Sequence, residues 1–319
     1  MYERNFVVEH AQARERLDHF LEQRLDGVSR GRIRRAILDG AVTVNGETRE
    51  SGRRLRVGDR IDLRLDEEPR RVLVPEAIPV RVLFEDEHML AVDKPSGMFA
   101  HPTSRVLSGT LLNAVLYHTR HESRERGARP LLVHRLDRAT SGALVFSKSP
   151  RAQQRLAKTW HDRRVLKSYL ALVCGSMPEN EGTIDAPIGG ARDQTPGFRI
   201  MADGRPAQTR YRVLERLGPY SYVELEPLTG RTNQLRIHCT YVDAPIAGDD
   251  LHGQPEIAAF QLRYPEAAQS ARLFLHAASL ELDHPISGER LRIEAPLPDE
   301  LTAFLEACRR VARRSDPSR

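Results

Sequence analysis

From Pro79 onwards, apolar segments with the pattern of β-strands follow one another along the chain, and helices separate only some of them. Parallel neighbours need a long crossover connection, whereas strands joined by a short turn pair antiparallel. The pattern therefore predicts an α+β domain with a mixed, largely antiparallel sheet. The predicted strands are VRVLFED, HMLAVDK, LLVHRLD, ALVFSKS, KSYLALVCG, TRYRVLER, YSYVELEP, LFLHAASLEL and ERLRIEAP. The predicted helices are GTLLNAVLYH, SPRAQQRLAKTWHDRR, TNQLRIHCTYV and DELTAFLEACRRVARR.

A small N-terminal α/β module is predicted over residues 13–66. A first amphipathic helix ends at Gly27, and Ser29 is a suitable N-cap for a second helix. Asn45-Gly46 then indicates a hairpin turn, and a further strand completes the module. The inward-facing helix positions are predicted to be Leu17, Phe20, Leu21, Leu25, Ile33, Ile37 and Leu38.

Residues 67–78 are rich in proline and charge, which predicts a linker between the module and the larger domain. We expect the larger domain to span residues 79–305 and a basic tail to follow over residues 306–319. No internal repeat or long low-complexity tract interrupts this organisation.

Composition excludes several classes of protein. The three cysteines, Cys174, Cys239 and Cys308, lie far apart without a CxxC pair, which excludes a disulfide framework or a CxxC-type zinc site. No apolar run reaches the roughly 18–20 residues of a membrane span, and the first residues lack the apolar core of a secretory signal. We therefore expect a cytoplasmic protein without membrane contact.

The chain is basic, with a formal net charge of +5 and a pI of about 9.3. Without membrane features, this charge makes nucleic acid the leading class of partner, although many basic proteins bind none. Since no self-complementary apolar stripe stands out, we expect a monomer.

Four arginines crowd the second helix of the module: Arg30, Arg32, Arg34 and Arg35. Taken alone, they are more typical of a solvated helix face than of an RNA-binding site. The segments RLDHFL, SRGRIRRAI, VTVNG and RVGDRI, in this order, resemble the RNA-binding αL motif of a small-subunit ribosomal protein. The resemblance implies that these arginines meet structured RNA, mostly at its phosphates.

Three polar segments adjoin apolar strands of the larger domain: Val92–Pro102, Val133–Phe146 and Glu226–His238. Each also has a plain structural interpretation, as a turn, a charged hairpin and a strand–turn–helix. Together, KPSGM, HRLDRATSG, RVLKSYLALV, TGRTNQLRIH and PIAGDDLHG resemble the RluA-type pseudouridine synthases over residues of about 80–300. Asn233 departs from the family pattern, in which histidine is expected.

The resemblance implies the pseudouridine synthase fold and a reaction in which a uridine of RNA is detached at nitrogen 1, rotated and rejoined through carbon 5. No cofactor and no metal are needed. By the family motif, Asp137 is the nucleophile, and it attacks either carbon 6 of uracil or the anomeric carbon of ribose. Arg236 is implied as the charged partner of Asp137, and Tyr169 as the active-site tyrosine that stacks on the base and transfers a proton.

Four further residues are predicted to bind substrate. Leu235 is expected beneath the uracil, and Lys94 and His101 beside the RNA. Arg135, in the loop before Asp137, either fills the space that a flipped base vacates or contacts a phosphate.

A non-catalytic RNA-binding or ribosome-assembly factor is the main alternative function. The presence of Asp137, Tyr169 and Arg236 favours the enzyme. A nucleotide hydrolase or glycosidase would need a second carboxylate for acid catalysis, and the motifs offer no such pair. The N-terminal module favours large-subunit ribosomal RNA over transfer RNA as the substrate.

Overall fold

A computed structural model describes residues 2–25, 28, 30–65, 73–103, 106–121, 129–190, 197–263, 270 and 272–314, with the backbone alone for Arg30 and Arg314. The chain divides into two compact units, Met1–Leu73 and Val74–Arg319. Gly27 and Ser29, with residues 67–72 of the predicted linker, lie outside the described residues. Among the helices described, none is both long and apolar enough to cross a membrane.

The first unit combines two helices with a four-stranded antiparallel sheet in the order β1–β4–β2–β3. Its elements are β1 (Tyr2–Val7), a 3₁₀ turn (His10–Gln12), α1 (Leu17–Glu22), α2 (Arg30–Leu38), β2 (Val42–Val44), β3 (Glu47–Thr48) and β4 (Arg60–Leu65). Asn45 and Gly46 have φ angles of 55° and 81°, as a two-residue hairpin turn requires. The predicted hairpin is confirmed.

Six of the seven predicted inward positions are buried, namely Leu17, Phe20, Leu21, Leu25, Ile33 and Ile37, although Leu25 lies beyond the end of α1. The prediction for Leu38 is wrong, because its side chain is 78% exposed. Ile33 and Ile37 share one helix face, and the next residue lies about 100° further round the helix. Residues 2–7 precede the predicted module, yet they form β1 and pair with β4. No short-range pattern indicated that strand.

The second unit is built on a large sheet. The described strands of this unit are β5 (Arg81–Glu85), β6 (Met89–Lys94), β7 (Leu131–Leu132), β8 (Ser141–Ser147), β9 (Leu166–Cys174), β10 (Glu181–Asp185), β11 (Ile188–Gly190), β12 (Phe198–Ile200), β13 (Gln208–Leu217), β14 (Tyr220–Pro227), β15 (Leu275–Asp283) and β16 (Arg290–Glu294). Strands β11 and β12 pair with each other in a separate antiparallel sheet. The described helices of the unit are α3 (Leu111–His118), α4 (Pro150–His161), α5 (Gln234–Tyr241), α6 (Gln254–Arg263) and α7 (Asp299–Arg314).

The strand order of the large sheet is β10–β13–β14–β9–β15–β8–β6–β5, with β16 on β15 and β7 on β8. Within the described chain, β8 and β15 form the one parallel pair, and every other pair is antiparallel. The mixed, largely antiparallel sheet and the α+β class are therefore confirmed. Strands β10, β11 and β12 and helix α6 were not predicted, and the segment LLVHRLD contributes only the two residues of β7.

Helix α7 crosses the predicted boundary between the domain and a basic tail at residue 305. Leu301, Leu305 and Cys308 of this helix are buried in one cluster with strands β9 and β14. The helix thus packs onto the domain core beyond residue 305.

The parallel pair β8–β15 brings two backbones unusually close. Ser141 lies opposite His276, and Gly142 lies opposite Ala277. Gly142 has a φ of 117°, and a Cβ atom there would lie 2.3 Å from the Ala277 carbonyl oxygen. Only glycine fits this position without a backbone shift. Because β8 follows the loop that holds Asp137, this close approach also determines where the loop ends.

We expect Gly142→Ala to lower the free energy of unfolding by about 2–5 kcal/mol, because it adds backbone strain and a collision with β15. The midpoint of urea unfolding measures this loss. Gly288→Ala is the matched control, since Gly288 also has a positive φ of 78° but has no atom within 4 Å of its Cβ position. An equal loss in the two variants would contradict the close approach as the cause.

Candidate active site

A cleft of about 890 Å³ opens in the second unit where four segments of the chain meet. These are the loop after β6, the loop between β7 and β8, the strand β9, and the turn that leads from β14 into α5. The three polar segments of the sequence therefore converge on one cleft. The predicted site residues that line it are His101, Arg135, Asp137, Tyr169, Leu235 and Arg236.

Asp137 lies in the loop between β7 and β8, where its carbonyl oxygen accepts the Thr140 amide at 3.2 Å and closes a tight turn. Its carboxylate makes no hydrogen bond to any described residue. Burial raises the pKa of the Asp137 carboxyl above its usual range, and nearby positive charge opposes this rise. The opposing groups are Arg236, Lys94, Arg135 and His252.

Arg236 projects from α5 with a side chain that is only 5% exposed. Its guanidinium donates to both carboxylate oxygens of Asp249, with Nε to Oδ2 at 2.8 Å, and Nη2 also donates to Asp250 at 3.3 Å. The predicted role of Arg236 as the charged partner of Asp137 stays a prediction. Arg236 acts on Asp137 through its charge, and in the described part of the chain no hydrogen bond joins the two.

Tyr169 and Leu235 form apolar walls beside Asp137. Tyr169 is partly buried on β9, and Leu235 is buried in the first turn of α5. Burial and the charge of Asp137 both raise the pKa of the Tyr169 hydroxyl, so this group stays protonated at neutral pH. The cleft thus offers a flat aromatic ring, an aliphatic surface and one neutral hydroxyl next to a carboxylate.

Residues 88–241 match the model of a family described as RNA pseudouridylate synthase, and residues 15–61 match the S4 domain. A protein of Chloroflexus aurantiacus, named an uncharacterized RNA pseudouridine synthase, is 40% identical to this chain over 95% of it and 93% of the relative. The chain belongs to the RNA pseudouridine synthases. These enzymes isomerise uridine to pseudouridine in RNA, and the RluA type indicated by the motifs is confirmed.

Two further comparisons agree with the family. The ribosomal large subunit pseudouridine synthase D of Nitrosomonas europaea is 38% identical, over 94% of this synthase and 86% of the relative. The solved structure of human RNA Pseudouridylate Synthase Domain Containing 1 is 27% identical and has a TM-score of 0.54. That likeness covers 79% of this synthase and 99% of the human chain. The predicted synthase fold is confirmed.

Lys94 does not line the cleft of the synthase, which corrects its assignment to substrate binding. Its side chain is fully buried, and Nζ donates to the carbonyl oxygens of Pro95 at 2.8 Å, Met98 at 2.9 Å and Arg138 at 3.2 Å. All three ammonium protons are thus used within the protein. Burial lowers the pKa of Lys94 to about 7, and the charge of Asp137 opposes this effect. Lys94 joins the loop after β6 to the loop of Asp137.

Arg135 and His101 lie at the cleft, as predicted, and their roles stay predictions. Arg135 is exposed two residues before Asp137, so its guanidinium is accessible to RNA. His101 is partly buried, and burial, together with the charge of Arg135, lowers the pKa of its imidazole. A neutral His101 can donate one hydrogen bond and accept another.

Several cleft residues were missed from the sequence. Trp160 and Lys167 line the cleft, and Trp160 stacks on His134 with ring centroids 4.7 Å apart. His134 Nε2 accepts the Val145 amide at 3.1 Å, and burial lowers the pKa of His134 to about 3. The histidine of the HRLD motif is therefore neutral, and it stabilises the loop by its contacts with Val145 and Trp160.

Asp249 lies in the segment PIAGDDLHG, and nothing in that sequence indicates that one of its two aspartates contacts Arg236. Asn233, the departure from the family pattern, has a left-handed φ of 54° before α5. Its Nδ2 lies 3.0 Å from His252 Nε2. The residue at this position thus contacts His252, whose pKa is lowered by burial.

The S4 domain presents its predicted RNA-binding arginines on α2. Arg34 Nε lies 3.2 Å from Asp18 Oδ2, and Arg35 Nε lies 2.9 Å from Asp39 Oδ2. The Arg34 and Arg35 side chains are 52% and 76% exposed. The Arg35–Asp39 pair is exposed on both sides and therefore weak, so Arg35 can exchange it for a phosphate contact. Asp18, the partner of Arg34, is only 4% exposed and also pairs with Arg16. Arg32 is partly buried, and the side chain of Arg30 lies outside the described part of the chain.

Proposed function

We propose that this synthase isomerises uridines of large-subunit ribosomal RNA, with Asp137 as the nucleophile and the target base flipped into the cleft. The observation that carries the proposal is the position of the Asp137 carboxylate. It lies in the wall of the cleft, among positive charges, and makes no hydrogen bond to any described residue. Its oxygen lone pairs are therefore free for a substrate carbon.

In the proposed reaction, a carboxylate oxygen of Asp137 forms a bond to carbon 6 of uracil or to the anomeric carbon of ribose. The bond between nitrogen 1 and the ribose breaks, the base rotates, and carbon 5 joins the ribose. If Asp137 is bonded to the anomeric carbon, carbon 5 displaces it there; if it is bonded to carbon 6, that bond breaks after carbon 5 has joined the ribose. The proton of carbon 5 is lost, and nitrogen 1 holds a proton. Atoms and electrons balance without an oxidant, a reductant or a second substrate.

The surrounding residues supply what these steps need. Arg236 keeps positive charge near Asp137, which favours the carboxylate form that attacks. Tyr169 can stack on the uracil and donate a hydrogen bond from its protonated hydroxyl to the base or ribose. Leu235 provides an apolar surface beneath the base.

A uridine in a stacked helix must leave the stack before it reaches Asp137, which costs a few kcal/mol. Arg135 is exposed at the mouth of the same loop, and a planar guanidinium can stack in the vacated space. The alternative is that Arg135 contacts a phosphate of the RNA. A structure with bound RNA would distinguish this contact from stacking in the vacated space.

Ribosomal RNA is proposed as the substrate for two reasons. The relative from Nitrosomonas europaea is named for the large ribosomal subunit and covers nearly the whole chain. The S4 domain adds exposed arginines suited to the phosphates of a large structured RNA. A monomeric state and a cytoplasmic location stay predictions.

Release of tritium from uridine labelled at carbon 5 tests the substrate. We expect release from protein-free large-subunit ribosomal RNA made by transcription, and little from transfer RNA transcripts. Faster release from transfer RNA would overturn the ribosomal assignment. RNA binding without release from either RNA would favour the non-catalytic factor.

Neutralising Arg30, Arg32, Arg34 and Arg35 to glutamine should weaken RNA binding without slowing the chemical step. If three of the four contact phosphates, the slope of log affinity against log salt should become shallower by roughly 2–3 units. Filter binding at several salt concentrations measures the slope, and single-turnover rates at saturating RNA measure the chemistry.

The control is a short stem-loop that the catalytic domain alone can hold, on which affinity should change little. An unchanged salt slope, or an equal loss on long and short RNA, would make α2 a solvated helix face.

A further inference from the structure

The cleft extends beyond the residues assigned to the uridine, and a lysine lines it there. Lys167 lies on β9, two residues before Tyr169. Side chains two residues apart on a strand lie on the same face, about 6–7 Å from each other. Burial is the main cause of the low pKa of His134 in the same cleft, and the charge of Lys167 lowers that pKa further. The Lys167 ammonium therefore lies near the wall in which Trp160 stacks on His134.

Lys167 has a partly buried side chain without a bonded anion. In the part of the chain that the structure describes, its ammonium makes no hydrogen bond and no ion pair. Of the described carboxylates, Glu226 acts on Lys167 by its charge. Glu226 itself pairs with Arg210 at 2.6 Å. The three donors of the Lys167 ammonium are thus available to a ligand in the cleft.

A second cation, Arg163, lies near Lys167 in the turn between α4 and β9. Its amide donates to the Trp160 carbonyl oxygen at 3.2 Å, and its side chain is exposed. Among the described residues, its guanidinium also has no hydrogen bond and no ion pair. Burial lowers the pKa of the Lys167 ammonium, and the charge of Arg163 lowers it further. An anion bound at Lys167 would oppose both effects.

Arginines elsewhere on the sheet differ from these two cations, because they have carboxylate partners. Examples are Arg210 with Glu226 at 2.6 Å, Arg212 with Glu224 at 2.7 Å, and Arg290 with Glu281 at 3.0 Å. The positive charge of Lys167 and Arg163 is left without such a partner at the end of the cleft that adjoins Tyr169.

RNA carries an anion at a suitable distance from the base. Each nucleoside of the chain is flanked by one phosphate on its 5′ side and one on its 3′ side, and the ribose separates them from the base. If the uracil stacks on Tyr169, as proposed above, a flanking phosphate can lie beside the next side chain on the same face of β9. That side chain is Lys167, and an ammonium binds phosphate as a compact point charge.

We propose that Lys167 forms a phosphate subsite of the cleft, which binds one of the two phosphates that flank the flipped uridine, and that Arg163 adds positive charge beside it. This inference rests on the proposed binding of the flipped uridine beside Asp137. It adds a contact that holds the target nucleotide by its backbone and is independent of the identity of the base.

Lys167→Met tests the subsite, because methionine keeps an apolar side chain of similar length and removes the charge. On a short stem-loop that contains the target uridine, the affinity should fall roughly 10-fold, as expected for loss of a hydrogen bond to a charged group. The slope of log affinity against log salt should become shallower by about 0.7–0.9. Lys167→Arg should restore most of the affinity, since a guanidinium also binds phosphate.

Lys158→Met is the matched control. Lys158 lies on α4, its side chain is 71% exposed, and it pairs with Asp162 at 2.8 Å. It does not line the cleft. The variant removes the same charge from the same region, and it should leave the affinity and the salt slope close to those of the wild type. Thermal melting establishes that each variant is folded.

A methylphosphonate linkage, which has no charge, identifies the phosphate. Three RNAs carry it on the 5′ side of the target uridine, on its 3′ side, or at a distant position in the stem. The sugar before the linkage is 2′-deoxy in each RNA and in its unmodified partner. At the contacted phosphate, the neutral linkage should weaken filter binding of the wild type roughly 10-fold and should have little further effect on Lys167→Met. At the distant position, the two proteins should lose affinity equally.

Additive losses at both flanking linkages would overturn the proposal, as would an equal loss of affinity in Lys158→Met and Lys167→Met. If Lys167→Met does not fold, Lys167→Gln takes its place, and failure of both variants to fold would assign Lys167 to the fold and also overturn the proposal. Filter binding does not depend on turnover. Coupling between Lys167 and a flanking phosphate without tritium release from the wild type would therefore support the subsite and overturn the proposed function.

Discussion

Asp137→Asn should lower tritium release from the labelled RNA by roughly 10⁴-fold or more, the scale on which loss of a nucleophile acts. Asparagine keeps the shape of the side chain, but its amide cannot attack carbon as a carboxylate does. RNA affinity should stay within a few fold, because Asp137 contributes no net positive charge to RNA binding. Tritium release and filter binding on the same protein preparation measure the two effects.

Asp93→Asn is the matched control for this prediction. Asp93 is also partly buried near the end of β6, and burial raises the pKa of its carboxyl as it does for Asp137. Asp93 does not line the cleft, so its variant should release tritium at close to the wild-type rate. Substantial release by Asp137→Asn would refute its role as the nucleophile.

Arg236→Ala should abolish turnover and lower the free energy of unfolding by about 3–5 kcal/mol, the usual cost of removing one partner of a buried ion pair. The cost is expected to be large because Arg236 serves two carboxylates, Asp249 by hydrogen bonds and Asp137 by charge. Urea unfolding measures the stability, and single-turnover tritium release measures the activity.

The pH dependence of this loss has a definite sign. In the variant, the pKa of Asp137, already raised by burial, should rise further because its main opposing charge is gone. A carboxyl whose folded pKa lies above its unfolded pKa destabilises the fold when it is ionised, and this effect disappears as it is protonated. The stability deficit should therefore be greatest near neutral pH and shrink as the pH falls through the raised pKa.

Arg210→Ala controls for loss of an arginine as such. Arg210 pairs with Glu226 at 2.6 Å on the sheet, but its side chain is 60% exposed, so the expected cost is below about 1 kcal/mol. If the Arg236→Ala enzyme were fully active and stable, Arg236 would be needed neither for the charge of Asp137 nor for the buried ion pair with Asp249.

Local patterns predicted the larger part of the fold. The segment SPRAQQRLAKTWHDRR was predicted as a helix, and it forms α4, where the Ser149 hydroxyl accepts the Ala152 amide at 3.2 Å, as an N-cap does. Strand β1 was missed because what stabilises it is pairing with β4, which is distant in sequence. Leu38 was misplaced because an apolar residue at the end of a helix satisfies the periodicity without having a partner to pack on.

At the site, too, local motifs identified residues, whereas contacts between residues distant in sequence were missed. The motifs located Asp137, Tyr169, Leu235 and Arg236 at the cleft, because each is identified by its immediate neighbours. They did not predict which aspartate Arg236 contacts, since Asp249 lies 13 residues away and reaches it only through the fold. Lys94 was misassigned for the same reason, because its three carbonyl partners come from two loops.

The most direct test of the central claim is nucleoside analysis of large-subunit ribosomal RNA incubated with the wild-type protein or with Asp137→Asn. The account predicts that the wild type forms a fixed whole number of pseudouridines per RNA molecule, with one tritium released for each, and that Asp137→Asn forms none. Equal pseudouridine formation by the two proteins, or none by the wild type on this RNA, would contradict it.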